Sequence, residues 1–195
     1  MTKKQKQGDS TRDDIFHAVG MSLNSWENME HTLADIFALL LGGDGDGAKR
    51  AFGTIATTSA RQAMLLEAFN SYLGKHREHF EALPHLLNRV DTLANKRNNL
   101  AHGIVVFVDR GEETKGYFLT QSKYNSRKNF SFRGHYDAMV KLHEAGKSFD
   151  SLVHPKEYEW TADDIYEVNN AIIALHKELW DMHFKGFAAV HSQET

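Results

Sequence analysis

Leu93-Ala94-Asn95-Lys96-Arg97-Asn98-Asn99-Leu100-Ala101-His102-Gly103-Ile104-Val105-Val106-Phe107-Val108 is where the chain changes its period. Up to Leu100, apolar residues (Leu86, Leu87, Val90, Leu93, Ala94, Leu100) recur at three- and four-residue steps, which predicts a helix opened near Pro84. Gly103 is the expected stop. Beyond it Ile104 to Val108 is a β-branched run, Asp109-Arg110-Gly111-Glu112-Glu113 reads as a turn, and Gly116-Tyr117-Phe118-Leu119-Thr120 reads as a second strand. A third strand is expected near Phe130-Ser131-Phe132 or Glu157-Tyr158-Glu159-Trp160, and His135 to Gly146 suggests a short helix.

Upstream, Asp9-Ser10-Thr11 supplies capping residues, and Asp13 and Asp14 add first-turn negative charge. The stripe Ile15, Phe16, Val19, Leu23, Trp26, Met29, Leu33, Ile36, Phe37, Leu40 then predicts a long amphipathic helix. The cluster Gly42-Gly43-Asp44-Gly45-Asp46-Gly47 ends it, since clustered glycines permit positive φ. Its Asp/Gly alternation lacks the full calcium-loop ligand pattern. A short helix over Ala48–Ile55 and another capped by Thr58 or Ser59, through about Tyr72, follow. Thr161-Ala162-Asp163-Asp164 opens a final long helix to about Ala188.

The expectation is a mainly α protein, with a small hairpin or short antiparallel sheet inserted at about 104–133. Residues 1–10 and 191–195 read as tails around a single domain over 11–190. Two prolines in 195 residues favour long helices over many turns. No apolar run approaches the roughly 20 residues of a membrane span, and the lysine-rich start has no apolar segment behind it, so it is not a secretory signal. With no cysteine, disulfides, thiolate metal sites and cysteine nucleophiles are excluded, and a cytoplasmic location is compatible. A net charge of −3 gives no global basic field, so any nucleic-acid surface must be local or shared between subunits.

Lys96 to Gly103 gathers an arginine, two amides and a histidine at the helix end. Metal-free RNA cleavage needs such groups: a cation for the phosphate, a base that titrates near neutral pH, and polar groups to orient both. Asn98 and His102, four apart, share a helical face. Arg97 and His102 stand about 140° apart on an ideal helix. Arginine's length, fraying beside Gly103, or a twofold partner presenting its own copy would have to bring them into one cleft. The same residues also fit ordinary helix-end chemistry, because Arg and His interact favourably with the last carbonyls and the helix dipole.

Arg97-Asn98-Asn99-Leu100-Ala101-His102-Gly103 resembles the signature of HEPN domains, small helical proteins in which an arginine and a histidine are separated by four to six residues. The long helix carrying Trp26-Glu27-Asn28-Met29-Glu30 and the closing helix after Trp160-Thr161 extend the resemblance over most of the chain. It implies a homodimer with a shared cleft, RNA as substrate, no cofactor or metal, and a toxin or phage-defence effector with an antitoxin or other protein partner. It implies Arg97 as phosphate clamp and His102 as proton-transfer group, with Asn98 matching the polar residue that often follows the arginine. Asn98 or Asn99 would orient the imidazole or the substrate, and Asn99 and Lys96 are candidate RNA contacts beside them. A catalytically silent HEPN-like module binding a nucleotide, RNA or protein is the alternative. The tyrosine that often follows the histidine by two residues is Ile104 here, which argues against control by modification at that position.

A second surface mixes Lys115, Lys123, Arg127, Lys128 and Arg133 with Tyr117, Phe118, Tyr124, Phe130 and Phe132. Such mixtures suit single-stranded RNA. Equally, the aromatics would pack the hairpin and the cations stay solvated. His76 with His79, and His176 with His183, are expected to be scattered imidazoles, because neither pair has zinc-motif spacing. Glu27, Glu30 and Asp35 are expected on a solvated face, with Glu30 also placed to orient an arginine of a neighbouring helix. Trp26, Trp160 and Trp180 read as core or interface anchors.

Overall fold

Thr11 starts the first helix by a reciprocal side-chain cap. Its Oγ1 accepts the Asp14 N–H at 3.3 Å and donates to Asp14 Oδ2 at 2.8 Å. Helix α1 then runs over Arg12–Leu40. In the computed structural model the described residues are 7–42, 45–72, 77–109, 114–121, 140, 144 and 159–191. The other elements are α2 (Asp46–Gly53), α3 (Thr58–Ser71), a 3-10 turn (Arg77–Phe80), α4 (Leu83–Ala101), β1 (Gly103–Asp109), β2 (Lys115–Gln121) and α5 (Ala162–His191). The protein is therefore mainly helical with a small antiparallel sheet after α4, as the change of period predicts. Among the described residues no helix is long and apolar enough to cross a membrane.

The chain divides into two compact units. One comprises the residues up to Met21 and Asn98–Glu167; the other comprises Ser22–Arg97 and the residues from Val168 onward.

In the helical unit, the second half of α1 is the central element. From Met29 to Leu40 every residue except His31 is buried, a pattern of enclosure on all sides rather than a single apolar stripe. Phe37 meets Phe52 of α2 with ring centroids 5.3 Å apart. Leu65, Phe69, Phe80, Leu87, Val90, Ile172, Leu175 and Leu179 are buried with them. Gly42 ends α1 with φ +90°, its N–H bonded to the Leu39 carbonyl at 3.1 Å, the left-handed exit that the glycine cluster predicts. Thr57, one residue before the expected caps, caps α3 by accepting the Ala60 N–H at 3.3 Å. Gly186 of α5 is set by close approach. A Cβ there would lie 2.3 Å from Cζ of the fully buried Phe80.

The expected solvated face of α1 is corrected by this burial. Glu27 is exposed, but Glu30 and Asp35 are buried. Each is matched by a cation from another helix: Glu30 pairs with Arg61 of α3, and Asp35 lies 2.6 Å from Lys49 of α2. Carboxylates are tolerated at such depth when paired and hydrogen-bonded. At the surface, Arg89 of α4 holds Glu178 of α5 through two bonds of 2.6 and 2.8 Å.

In the other unit β2 is the middle of the sheet. It pairs antiparallel with β1, Val105 opposite Leu119 and Phe107 opposite Tyr117. Its far edge takes two short segments: Asp9 exchanges backbone bonds with Tyr117, and Trp160 with Leu119. Trp160 thus supplies pairing at one of the two places where a third strand is expected, while Phe130–Phe132 lies outside the described residues, as does most of the His135–Gly146 stretch. Asp9, read as a cap for α1, instead caps α5. Its Oδ2 accepts the Ala162 N–H at 2.7 Å, beside a Thr161–Asp164 capping box. Gly116, at φ +135°, lets this N-terminal segment approach, since a Cβ would meet the Gly8 backbone at 2.7 Å.

Candidate functional site

The motif spans the end of α4 and the first residue of β1. The His102 N–H donates to the Asn98 carbonyl at 3.1 Å, so the last helical turn closes on the histidine itself. Ala101 is the final helical residue and Gly103 already belongs to β1. Gly103 does not take the left-handed conformation of a helix-terminating glycine. Its small size matters for another reason: a Cβ would lie 2.8 Å from Cγ and Cδ1 of Leu119, which is buried. The glycine after the histidine is thus required by the strand that folds back across it.

Within this unit the structure brings Asn98 and His102 together, one turn apart, with both side chains exposed. Asn99 is half-buried. Ile104, two residues beyond the histidine, is 44% exposed.

Arg97 belongs to the helical unit and its setting differs. It is half-buried, and its Cζ lies 5.1 Å from the centroid of the Trp26 ring on α1. Trp26 itself is fully buried. A guanidinium over an indole face gains both electrostatic attraction and flat packing. This platform lies 71 positions away in sequence (97 minus 26), and neither residue type announces the pairing. Lys96, next to Arg97, is exposed. Glu30, read as a possible partner for a catalytic arginine, is committed to Arg61 instead.

The second surface is described only at its start. Lys115 is exposed and lies 3.2 Å from Asp109, its partner in the β1–β2 register. Phe118 is fully buried, while Tyr117 sits edge-on to Phe107 at 5.1 Å. For Phe118 the packing role is the observed one. Lys123, Tyr124, Arg127, Lys128, Phe130, Phe132 and Arg133 lie outside the described residues.

Two histidines of α5 are not scattered surface groups. His176 Nε2 lies 2.9 Å from Thr32 Oγ1 of α1, and His183 Nδ1 is buried with no hydrogen-bond partner among the described residues. Burial pushes the pKa of both rings down; for His183 a nearby Asp35 opposes this and Lys49 reinforces it. Trp180 lies between them, with ring centroids 6.5 Å from His176 and 5.7 Å from His183.

No protein-family model, curated protein or solved structure matches the chain.

Proposed function

We propose that the chain is a HEPN-like, metal-independent endoribonuclease acting on single-stranded RNA as a homodimer, with His102 as the proton-transfer group. The observation that carries this reading is the exposed imidazole at the end of α4, one turn from the exposed amide of Asn98. In the proposed reaction His102 takes the proton of a ribose 2′-OH, whose oxygen attacks the adjacent phosphorus. The bond from phosphorus to the 5′-oxygen breaks, water protonates the leaving oxygen, and the products are a 2′,3′-cyclic phosphate and a 5′-OH end. Asn98 orients the imidazole or the substrate, and Arg97 holds the charge that develops on the phosphate. Lys96 and Asn99 contribute to RNA contact. A role as a toxin or defence effector, with a protein antagonist, follows from the same resemblance.

One observation favours a second reading. Arg97 is already engaged by Trp26 and half-buried, as expected of a residue that fastens α4 to α1. In a silent HEPN-like binding module that would be its whole task. Incubating purified protein and labelled single-stranded RNA with chelator separates the two. The nuclease reading expects cleavage that His102→Ala abolishes without loss of helical signal. The silent module expects intact RNA with wild-type protein.

A further inference from the structure

Helix α5 carries an exposed stripe of large side chains. Ile173, Trp180 and Phe184 are 48, 49 and 63% exposed, and with exposed Lys177 they fall at steps of four, three and four residues. At 100° per residue these four lie within about 60° of one another, opposite the buried Leu175, Leu179 and Met182. Trp180 does not stand free, because its indole is braced between the rings of His176 and His183. A braced aromatic half open to water is the kind of anchor that interfaces use.

From this stripe we infer that α5 pairs with α5 of a second copy of the chain, antiparallel, about a twofold axis between Glu178 and Leu179. The pattern is self-complementary in that register. Ile173 meets Phe184 of the other copy, and Phe184 meets its Ile173. Lys177 lies over Trp180 of the other copy, a cation on an indole face, and the same contact repeats across the axis. Asp181, one residue further, comes within reach of the opposing Lys177. Neither Lys177 nor Asp181 has an ion-pair partner among the described residues, whereas neighbouring Glu178 is held by Arg89. A parallel pairing would set Lys177 against Lys177 and Asp181 against Asp181, a like-charge arrangement that selects against it. The inference builds on the dimeric part of the proposal above and is independent of cleavage.

Analytical ultracentrifugation over a concentration series tests it. Wild-type protein is expected to dimerise, and Trp180→Glu or Phe184→Glu to weaken association at least tenfold with an unchanged circular dichroism spectrum. Lys177→Glu and Asp181→Lys should each weaken it, and the double variant Lys177→Glu/Asp181→Lys should recover much of the loss, because the exchanged charges again face each other. A wild-type chain that stays monomeric at the highest concentration overturns the inference. So does a dimer indifferent to Trp180→Glu and Phe184→Glu, which would place the contact elsewhere. RNA cleavage by a monomer, or a dimer without cleavage, separates this inference from the nuclease reading.

Discussion

Arg97 and Trp26 form a cation–π pair, guanidinium carbon to ring centroid 5.1 Å, that fastens α4 to the central helix of its unit. The residue most directly implied in phosphate binding is thus also part of the packing. Arg97→Ala should lower unfolding stability by about 1–2 kcal/mol, the range for a partly desolvated cation–π contact. Arg97→Lys should recover little of it, since the ammonium lacks the planar face. Urea unfolding of Trp26→Leu, Arg97→Ala and the double variant gives the coupling energy. Strict additivity would mean the pair does not interact in solution.

The buried pair Glu30–Arg61 should respond asymmetrically. Removing one partner, as in Arg61→Met, leaves a carboxylate that is only 7% exposed without its cation and should cost roughly 3–5 kcal/mol. Glu30→Leu/Arg61→Met should be much less harmful than either single change. Denaturant midpoints for the three variants decide the matter, and equal losses in single and double variants would refute it.

Gly186 and Phe80 give a test of close packing. A methyl group added at Gly186 would collide with the Phe80 ring, 2.3 Å from Cζ. Gly186→Ala should therefore destabilise by about 1–3 kcal/mol, despite the higher helix propensity of alanine. Gly186→Ala/Phe80→Leu should be more stable than Gly186→Ala alone. A stabilised Gly186→Ala single variant would show that the contact relaxes freely.

Stability should depend on pH through His176 and His183. Burial lowers both pKa values in the fold, so the unfolded chain binds more protons as pH falls. The stability tied to the neutral rings is fully present above their unfolded value, near 6.5, and declines as pH drops through and below it. Melting temperature should fall between about pH 7.5 and 5.5, and the double variant His176→Gln/His183→Gln should flatten that slope. An unchanged slope would assign the pH response to other groups.

Much of this architecture is legible in the sequence because it rests on local chemistry. The stripes of α1, α4 and α5, the Thr161–Asp164 cap and the switch of period at Gly103 each announce themselves within a few residues. What is not legible depends on partners distant in the chain. Glu30 and Asp35 look solvated until Arg61 and Lys49 are seen beside them. Asp9 looks like a local cap but serves Ala162, far along the chain. The unbroken run Ile36-Phe37-Ala38-Leu39-Leu40 was the available sign that α1 is enclosed rather than one-sided. At the motif, the sequence shows a helix end with Asn98 and His102 on one face, but not that Arg97 is seated on Trp26 or that Gly103 makes room for Leu119.

The nuclease reading is tested most directly by the end groups of RNA incubated with wild-type and His102→Ala protein in excess chelator. It predicts 2′,3′-cyclic phosphate and 5′-OH ends with wild-type protein, and uncut RNA with a folded His102→Ala variant. Wild-type protein that leaves the RNA intact, or His102→Ala protein that cleaves at the wild-type rate, would contradict it.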